Sequence, residues 1–156
     1  MDWINSAINP LRDLIAFLHK KAQTNDVQKR QIIRELRNNL IVFENAYINQ
    51  ISADTVVDNL SNDAIREAVK ANFHFDKIKS GKIGIENILD ERNKKYVGWT
   101  SGKLLDKIDE KIEELKTIKR LNGSTDKAKN NISLMMSNLY FRMKLLADFI
   151  RDDKDK

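Results

Sequence analysis

Hydrophobic residues recur at helical spacing through most of the chain, and the first such pattern begins near the N-terminus. One helical face carries Trp3, Ile4, Ala7, Ile8, Leu11, Leu14, Ile15, Leu18 and Ala22. Because Pro10 lies inside this pattern, Asn9 and Pro10 predict either a cap that restarts a second helix or a kink in one helix.

The second long helix is predicted to start after a capping residue, which is Thr24, Asn25 or Asp26, and to end near Asn49. Its core-facing positions are Ile32, Ile33, Leu36, Leu40, Phe43, Ala46 and Tyr47. Two shorter helices follow at about 54–60 and 62–73, the second of which should bury Ile65, Ala68 and Val69. Periodicity is then lost over about 74–98, where only 85–93 suggests a helix.

A third long helix is predicted after Thr100 or Ser101, and Asn122-Gly123 is the type of sequence that ends a helix in the left-handed conformation. Its apolar positions are Leu104, Leu105, Ile108, Ile112, Leu115 and Ile118. The last helix, 126–151, follows after a short loop. We therefore expect the third and last helices to form an antiparallel hairpin.

The last helix is apolar on two opposite faces. The broader face carries Ile132, Met135, Met136, Leu139, Tyr140, Met143, Leu146, Ala147 and Ile150; the second carries Leu134, Phe141, Leu145 and Phe149. A helix that is apolar nearly all round is usually buried. The alternatives are a protein interface, which the adaptable Met side chains favour, and membrane contact.

These patterns predict an all-α fold, because 5 Gly and 1 Pro are too few for a barrel or sandwich that turns every few residues. We expect a mainly antiparallel bundle of four long helices, with short helices and the irregular segment, about 74–98, inserted between the second and third. Residues 1–151 are predicted to form a single domain, and 152–156 a frayed charged tail.

The amino-acid composition limits the kinds of chemistry and partner that we expect. The chain has no Cys, which excludes disulfides and thiolate chemistry and is compatible with a reducing cytoplasm. No apolar run approaches the roughly 18 residues of a membrane span. The frequent Lys, Ile and Asn residues would suit an AT-rich bacterial or phage genome. The net charge of +5 permits an acidic partner but belongs to a mixed surface, with 28 basic and 23 acidic residues.

No motif predicts catalysis, a metal or a cofactor. His19 and His74 each lack a second ligand at helical spacing, so both are expected to be ordinary surface or boundary residues. The carboxylates on the third long helix alternate with Lys and are typical of a solvated face. Gly98 to Lys103 has one residue too few between its glycines for a phosphate-binding loop, and no apolar strand precedes it. An enzyme is therefore not expected.

Two basic regions are candidates for phosphate or nucleic-acid contact. Arg30, Arg34 and Arg37 lie on one face of the second helix, with Lys29 close by. In the irregular segment, Lys94 and Lys95 stand beside Tyr96 and Trp99, and basic residues with stacking rings can bind single strands. The simpler interpretations are a solvated face for the arginines and loop packing for the rings.

The function that we expect is a non-enzymatic helical module for protein contacts, adaptor or regulatory. Its partner is either another protein or a second copy of this chain in a homodimer. Its candidate interface is Leu134, Phe141, Leu145 and Phe149. The alternative is a basic nucleic-acid-binding module that uses the two regions above. A third hypothesis is a peripheral membrane protein, in which the amphipathic stretch from Trp3 to Lys20-Lys21 lies on a membrane surface.

Overall fold

The computed structural model describes residues 8–152, and this part of the chain is helical with no strand. Its α-helices are α1 (Ile8–Lys21), α2 (Val27–Ile48), α3 (Ala53–Asn59), α4 (Asp63–Lys70), α5 (Ser101–Asn122) and α6 (Ile132–Arg151). Short 3-10 turns occur at Phe75–Lys77, Ile85–Asn87, Glu91–Tyr96 and Thr125–Lys127. The predicted all-α class is confirmed. The predictions for Trp3, Ile4, Ala7 and residues 153–156 lie outside the described range.

The long helices start and stop at local signals in the sequence. The Asp26 side chain accepts a hydrogen bond from Lys29 N at 3.1 Å and caps α2. Thr100 caps α5 in the same way through Lys103 N at 3.2 Å. Gly123 ends α5 in the left-handed conformation with φ of 80°, which glycine adopts without steric cost. The described part of α1, Ile8–Lys21, includes Pro10.

The predicted start of the last helix at residue 126 was wrong, because α6 begins at Ile132. A contact from a distant part of the chain holds residues 124–127 in a different conformation. Asp54, in the first turn of α3, accepts hydrogen bonds from Ser124 Oγ, Thr125 N and Thr125 Oγ1 at 2.7–2.8 Å. The helix then starts under its own cap, where the Asn131 side chain accepts from Leu134 N.

Two boundaries between α3 and α5 also differ from prediction. Residues 85–93 do not form one helix but two 3-10 turns, separated by Ile88 in an extended conformation. Helix α4 ends at Lys70 instead of residue 73, because Asn72 adopts a left-handed conformation with φ of 55°. Val69, expected in the core, is 56 % exposed.

Helix α6 lies in the core and supplies two buried faces. It packs against α1, α2 and α5, and these contacts bury its broad apolar face. The second face is covered by the irregular segment. Leu145 and Phe149 of that face are each only 3 % exposed, which at ~25 cal/mol per Å² stabilises the fold by roughly 1.5–3 kcal/mol for each side chain.

We call residues 79–96 the covering segment, because polar contacts join them to α6 along its length. The guanidinium of Arg92 lies over the Phe141 ring at 4.3 Å, and Asn93 Nδ2 donates to Phe141 O at 3.0 Å. Farther along α6, Asn87 Nδ2 donates to Asp152 Oδ2 at 2.8 Å, and Lys79 Nζ donates to Asp152 O. Asp152, which we expected to begin a frayed tail, is thus a contact residue.

A buried carboxylate holds the start of α4 against α2. Glu35 of α2 is only 7 % exposed. Its oxygens accept hydrogen bonds from Ser61 Oγ, Ala64 N and Ile65 N at 2.7, 2.9 and 3.2 Å. Burial raises the pKa of the Glu35 carboxyl, and these hydrogen bonds only partly oppose that effect. The group therefore acts as a cap supplied by a neighbouring helix.

Candidate functional site

The predicted interface residues on α6 do not form one exposed surface. Leu145 and Phe149 lie in the core, and Phe141 is partly buried beneath Arg92. Leu134 alone of the four is largely exposed, at 52 %. The physical reason is the covering segment, which shields the second apolar face from solvent. The sequence pattern identified that face correctly but did not show that this same chain covers it.

The predicted stacking rings of the irregular segment also belong to the core. Tyr96 is 2 % exposed, and its ring meets that of Trp99 edge to face at 4.7 Å between centroids. Lys94 pairs with Glu91 at 2.7 Å, while Lys95 Nζ lies 5.4 Å from the centre of the Tyr96 ring. These residues are close together, but Tyr96 presents no face on which a base could stack. The structural interpretation is therefore the correct one for Tyr96.

The three arginines of α2 have different surroundings. Arg30 Nη1 donates to Thr24 O at 3.2 Å in the connection between α1 and α2. Arg37 Nη1 donates to His19 Nδ1 on α1 at 2.8 Å. Arg34 lies between them on the same face and is exposed. The structure thus leaves all three without a carboxylate partner within residues 8–152.

A basin of about 480 Å³ lies at the turn of the α1–α2 hairpin. We call it the hairpin basin, and it is lined by Phe17, Lys20, Lys21, Gln23, Thr24 and Lys29. Lys20 and Lys21 come from the last turn of α1, and Lys29 from the first turn of α2. Three lysines therefore line one basin, because the short connection folds the second helix back beside the first. Thr24 joins the basin to Arg30, whose guanidinium binds its carbonyl oxygen.

The lysines of the hairpin basin form no ion pair with any described residue. Asp26, the nearest acidic side chain along the chain, instead pairs with Lys77 at 3.7 Å. Lysines on other helices do have partners: Lys107 pairs with Glu110 at 3.4 Å, and Lys111 with Glu114 at 3.0 Å. The basin therefore concentrates positive charge that no ion pair within residues 8–152 neutralises.

The positive charge of the hairpin basin affects the pKa of Lys29. Partial burial and the positive charge of Lys21 lower the pKa of the Lys29 ammonium, and Asp26 only partly offsets this effect. An anion in the basin would act in the opposite direction, because an opposite charge within a few ångströms favours the charged form. This arrangement can bind phosphate groups, while Phe17 supplies an apolar wall beside them.

The sequence pattern placed these three lysines in two separate features. Lys20 and Lys21 were assigned to the amphipathic N-terminal stretch, and Lys29 to the arginine face of α2. A usable signal was present: two lysines that end one helix, a connection of only a few residues, and a lysine in the first turn of the next. The first part of the amphipathic stretch, Trp3 to Ala7, lies outside the described residues.

No cluster of three or more His, Asp or Glu side chains between residues 8 and 152 has the arrangement of a metal site. His19 and His74 are exposed, and His19 contacts Arg37. No helix within the same range has both the length and the hydrophobicity needed to cross a bilayer.

The chain matches no protein-family model, and no curated protein or solved structure is significantly similar to it. The class that the fold and the site define is an all-α protein with a positively charged hairpin. Its function must be argued from that geometry.

Proposed function

We propose that this protein is a non-enzymatic binding module whose α1–α2 hairpin contacts the phosphates of a nucleic acid. The observation that carries the proposal is the convergence of Lys20, Lys21 and Lys29 on one basin without an acidic partner. Unpaired cations release counterions when they neutralise phosphates, and this release dominates nucleic-acid affinity. The exposed Arg34 and the neighbouring Arg30 and Arg37 extend the same positive surface along α2.

The scaffold that we propose for this site is the antiparallel bundle of the four long helices α1, α2, α5 and α6. The short connections 22–26 and 123–131 support it, because short loops join helices that run in opposite directions. The packing of α1 on α2 and of α5 on α6 supports it as well. Such a hairpin would hold the three lysines at a fixed spacing.

The test is binding of a fluorescein-labelled single-stranded oligonucleotide and of a duplex, measured by fluorescence anisotropy over a series of salt concentrations. We expect affinity to fall steeply with salt. The variant Lys20→Gln/Lys21→Gln/Lys29→Gln should lose affinity and reduce the slope of log affinity against log salt by about 2 to 3, one unit or slightly less for each lost phosphate contact.

The matched control is Lys70→Gln/Lys107→Gln/Lys119→Gln, which removes three charges whose side chains pair with carboxylates. Both variants reduce the net charge from +5 to +2, since each removes three positive charges. Equal losses in both variants would show that only net charge matters. That result, or salt-insensitive binding by the unmodified protein, contradicts the proposal.

A second candidate function is docking of a protein, including a second copy of this chain. It is favoured by exposed aliphatic side chains of the covering segment, Ile85 at 63 % and Leu89 at 72 %, together with Leu134 of α6. Light scattering on the purified protein, with the ratio of absorbance at 260 and 280 nm, separates the two proposals. A stable dimer free of nucleic acid favours docking, whereas a monomer that releases nucleic acid as salt rises favours the hairpin.

A further inference from the structure

Arg142 of α6 is a buried cation with an incomplete set of partners. It is 4 % exposed, its Nε donates to Tyr96 Oη at 2.7 Å, and its guanidinium lies 5.5 Å from the centre of the Tyr96 ring. Its Nη1 has no hydrogen-bond partner within the described range. Burial of a charged donor without an acceptor is costly. A binding role would explain why the protein retains this group.

A pocket of about 80 Å³ adjoins Arg142 between α5 and α6. We call it the Arg142 pocket; it is lined by Lys111, Glu114, Leu115, Met135, Asn138 and Arg142. A water molecule occupies ~30 Å³ in the liquid, so the pocket has room for a group of a few heavy atoms. It shares no residue with the hairpin basin, and the two sites are independent.

The polar groups around the Arg142 pocket favour an anion with a single negative charge. Asn138 Oδ1 accepts a hydrogen bond from Arg92 Nη1 at 3.3 Å, which leaves its amide nitrogen to donate. Lys111 Nζ pairs with Glu114 Oε2 at 3.0 Å at the edge of the pocket, so those two charges largely cancel. The charge of Arg142 then remains, while the Glu114 carboxylate opposes a doubly charged ligand.

We propose that the Arg142 pocket binds the carboxylate group of a small organic acid, with the guanidinium of Arg142 as the principal donor. A guanidinium matches a carboxylate in shape and charge, and a hydrogen bond between them is stronger than one between neutral groups. The Nε of Arg142 is already held by Tyr96, so the guanidinium is oriented before the ligand arrives. The site goes beyond the hairpin proposal and requires no nucleic acid.

The experiment uses acetate as the probe and follows the side-chain Nε–Hε signal of Arg142 by nuclear magnetic resonance, with chloride replacing acetate at constant ionic strength. We expect a saturable shift with acetate and a weaker response to inorganic phosphate. Arg142→Met should lose the saturable response, which in that variant is read from the amide signals of Leu115 and Asn138. Arg12→Met is the control, because it removes an arginine from α1, which contributes nothing to the pocket.

Two further variants keep the proposal testable. If Arg142→Met fails to fold, Arg142→Lys retains the charge but loses the planar fork, and we expect its acetate dissociation constant to rise roughly tenfold. Glu114→Gln should bind both anions several-fold more tightly, because it removes the opposing charge. The proposal is overturned if the unmodified protein shows no saturable acetate response, or if Arg142→Met responds as the unmodified protein does.

Discussion

At the scale of single residues, one predicted apolar face of α6 contains both buried and exposed side chains. Phe149 and Leu134 have the same hydrophobic character in the sequence, yet they are 3 % and 52 % exposed. The difference comes from the covering segment, which reaches Phe149 through Lys79, whose Nζ lies 5.7 Å from the centre of the ring. Leu134 lies near the start of the helix, where its side chain remains in solvent.

Phe149→Ala is therefore expected to lower the free energy of unfolding by roughly 3–5 kcal/mol, because it leaves a cavity in the core. Leu134→Ala should change it by no more than about 0.5 kcal/mol. Urea denaturation followed by circular dichroism measures both. Equal and small effects would show that Phe149 is not packed as described here.

Glu35 provides a second prediction at this scale. Glu35→Gln keeps the shape but replaces one accepting oxygen by a donor that faces backbone N–H groups of α4. We expect the free energy of unfolding to fall by roughly 1–3 kcal/mol. Glu44→Gln, on the same helix, is the control: Glu44 pairs with the exposed Arg12 at 3.8 Å, and exposed pairs contribute about 0–1 kcal/mol.

The pH dependence of stability should also identify Glu35. Because burial raises its pKa in the folded state, the folded protein holds this proton at pH values where the unfolded chain has released it. The contribution of this group to stability is therefore greatest at low pH, and it decreases as pH rises from the ordinary carboxyl pKa of 4.5 through the raised pKa of the folded state. In Glu35→Gln, the free energy of unfolding measured across this pH range should no longer contain that contribution. An unchanged profile would contradict the assignment.

At the scale of elements, the connection between α5 and α6 is held by Asp54 of α3. Hydrogen bonds from Thr125 and Ser124 lower the pKa of the Asp54 carboxyl to about 2. Its contribution to stability is therefore complete above pH 3.8 and is lost as pH falls toward 2. Asp54→Asn should be less stable at neutral pH and should lack this acid-dependent step. Asp58→Asn, on the same helix, is the control, since Asp58 pairs with Lys119 of α5 and not with Ser124 or Thr125.

Element boundaries were predictable where the signals were local. Asp26, Thr100 and Gly123 act on backbone groups within a few residues, and each lies where the sequence placed it. The start of α6 was not predictable, because Asp54 controls it from about seventy residues away in the chain. Glu35 is likewise a charged residue, which usually means exposure to solvent. Its carboxylate gains its hydrogen-bond partners only because the start of α4 packs against α2.

The two candidate sites differ in the same way: one depends on residues close in sequence and the other on residues far apart. The lysines of the hairpin basin lie within ten residues of each other, so their meeting required only a short turn between two helices. Arg142 instead depends on Tyr96 and on the packing of α5 against α6. Nothing in the spacing of residues along α6 distinguishes Arg142 from an exposed arginine, because its surroundings come from two other parts of the chain.

At the scale of the whole molecule, the buried apolar core and the positive charge of the hairpin basin lie in different regions. The apolar side chains of six helices meet in one continuous core around α6, whereas the three lysines of the hairpin basin lie at one turn of the hairpin. Loss of those charges should therefore leave the helical content of the protein unchanged. The triple lysine variant and its control should unfold at similar urea concentrations, which permits their binding to be compared directly.

The covering segment has a consequence for the order in which the chain folds. It contacts a helix whose contacting residues lie about 45 to 73 positions farther along the chain, so it cannot dock until α6 has been made and positioned. Contacts between such distant residues slow folding, because the intervening loop must close first. The α1–α2 hairpin relies on near neighbours and can assemble early. In pulse-labelling hydrogen exchange, its amides should gain protection before those of the covering segment.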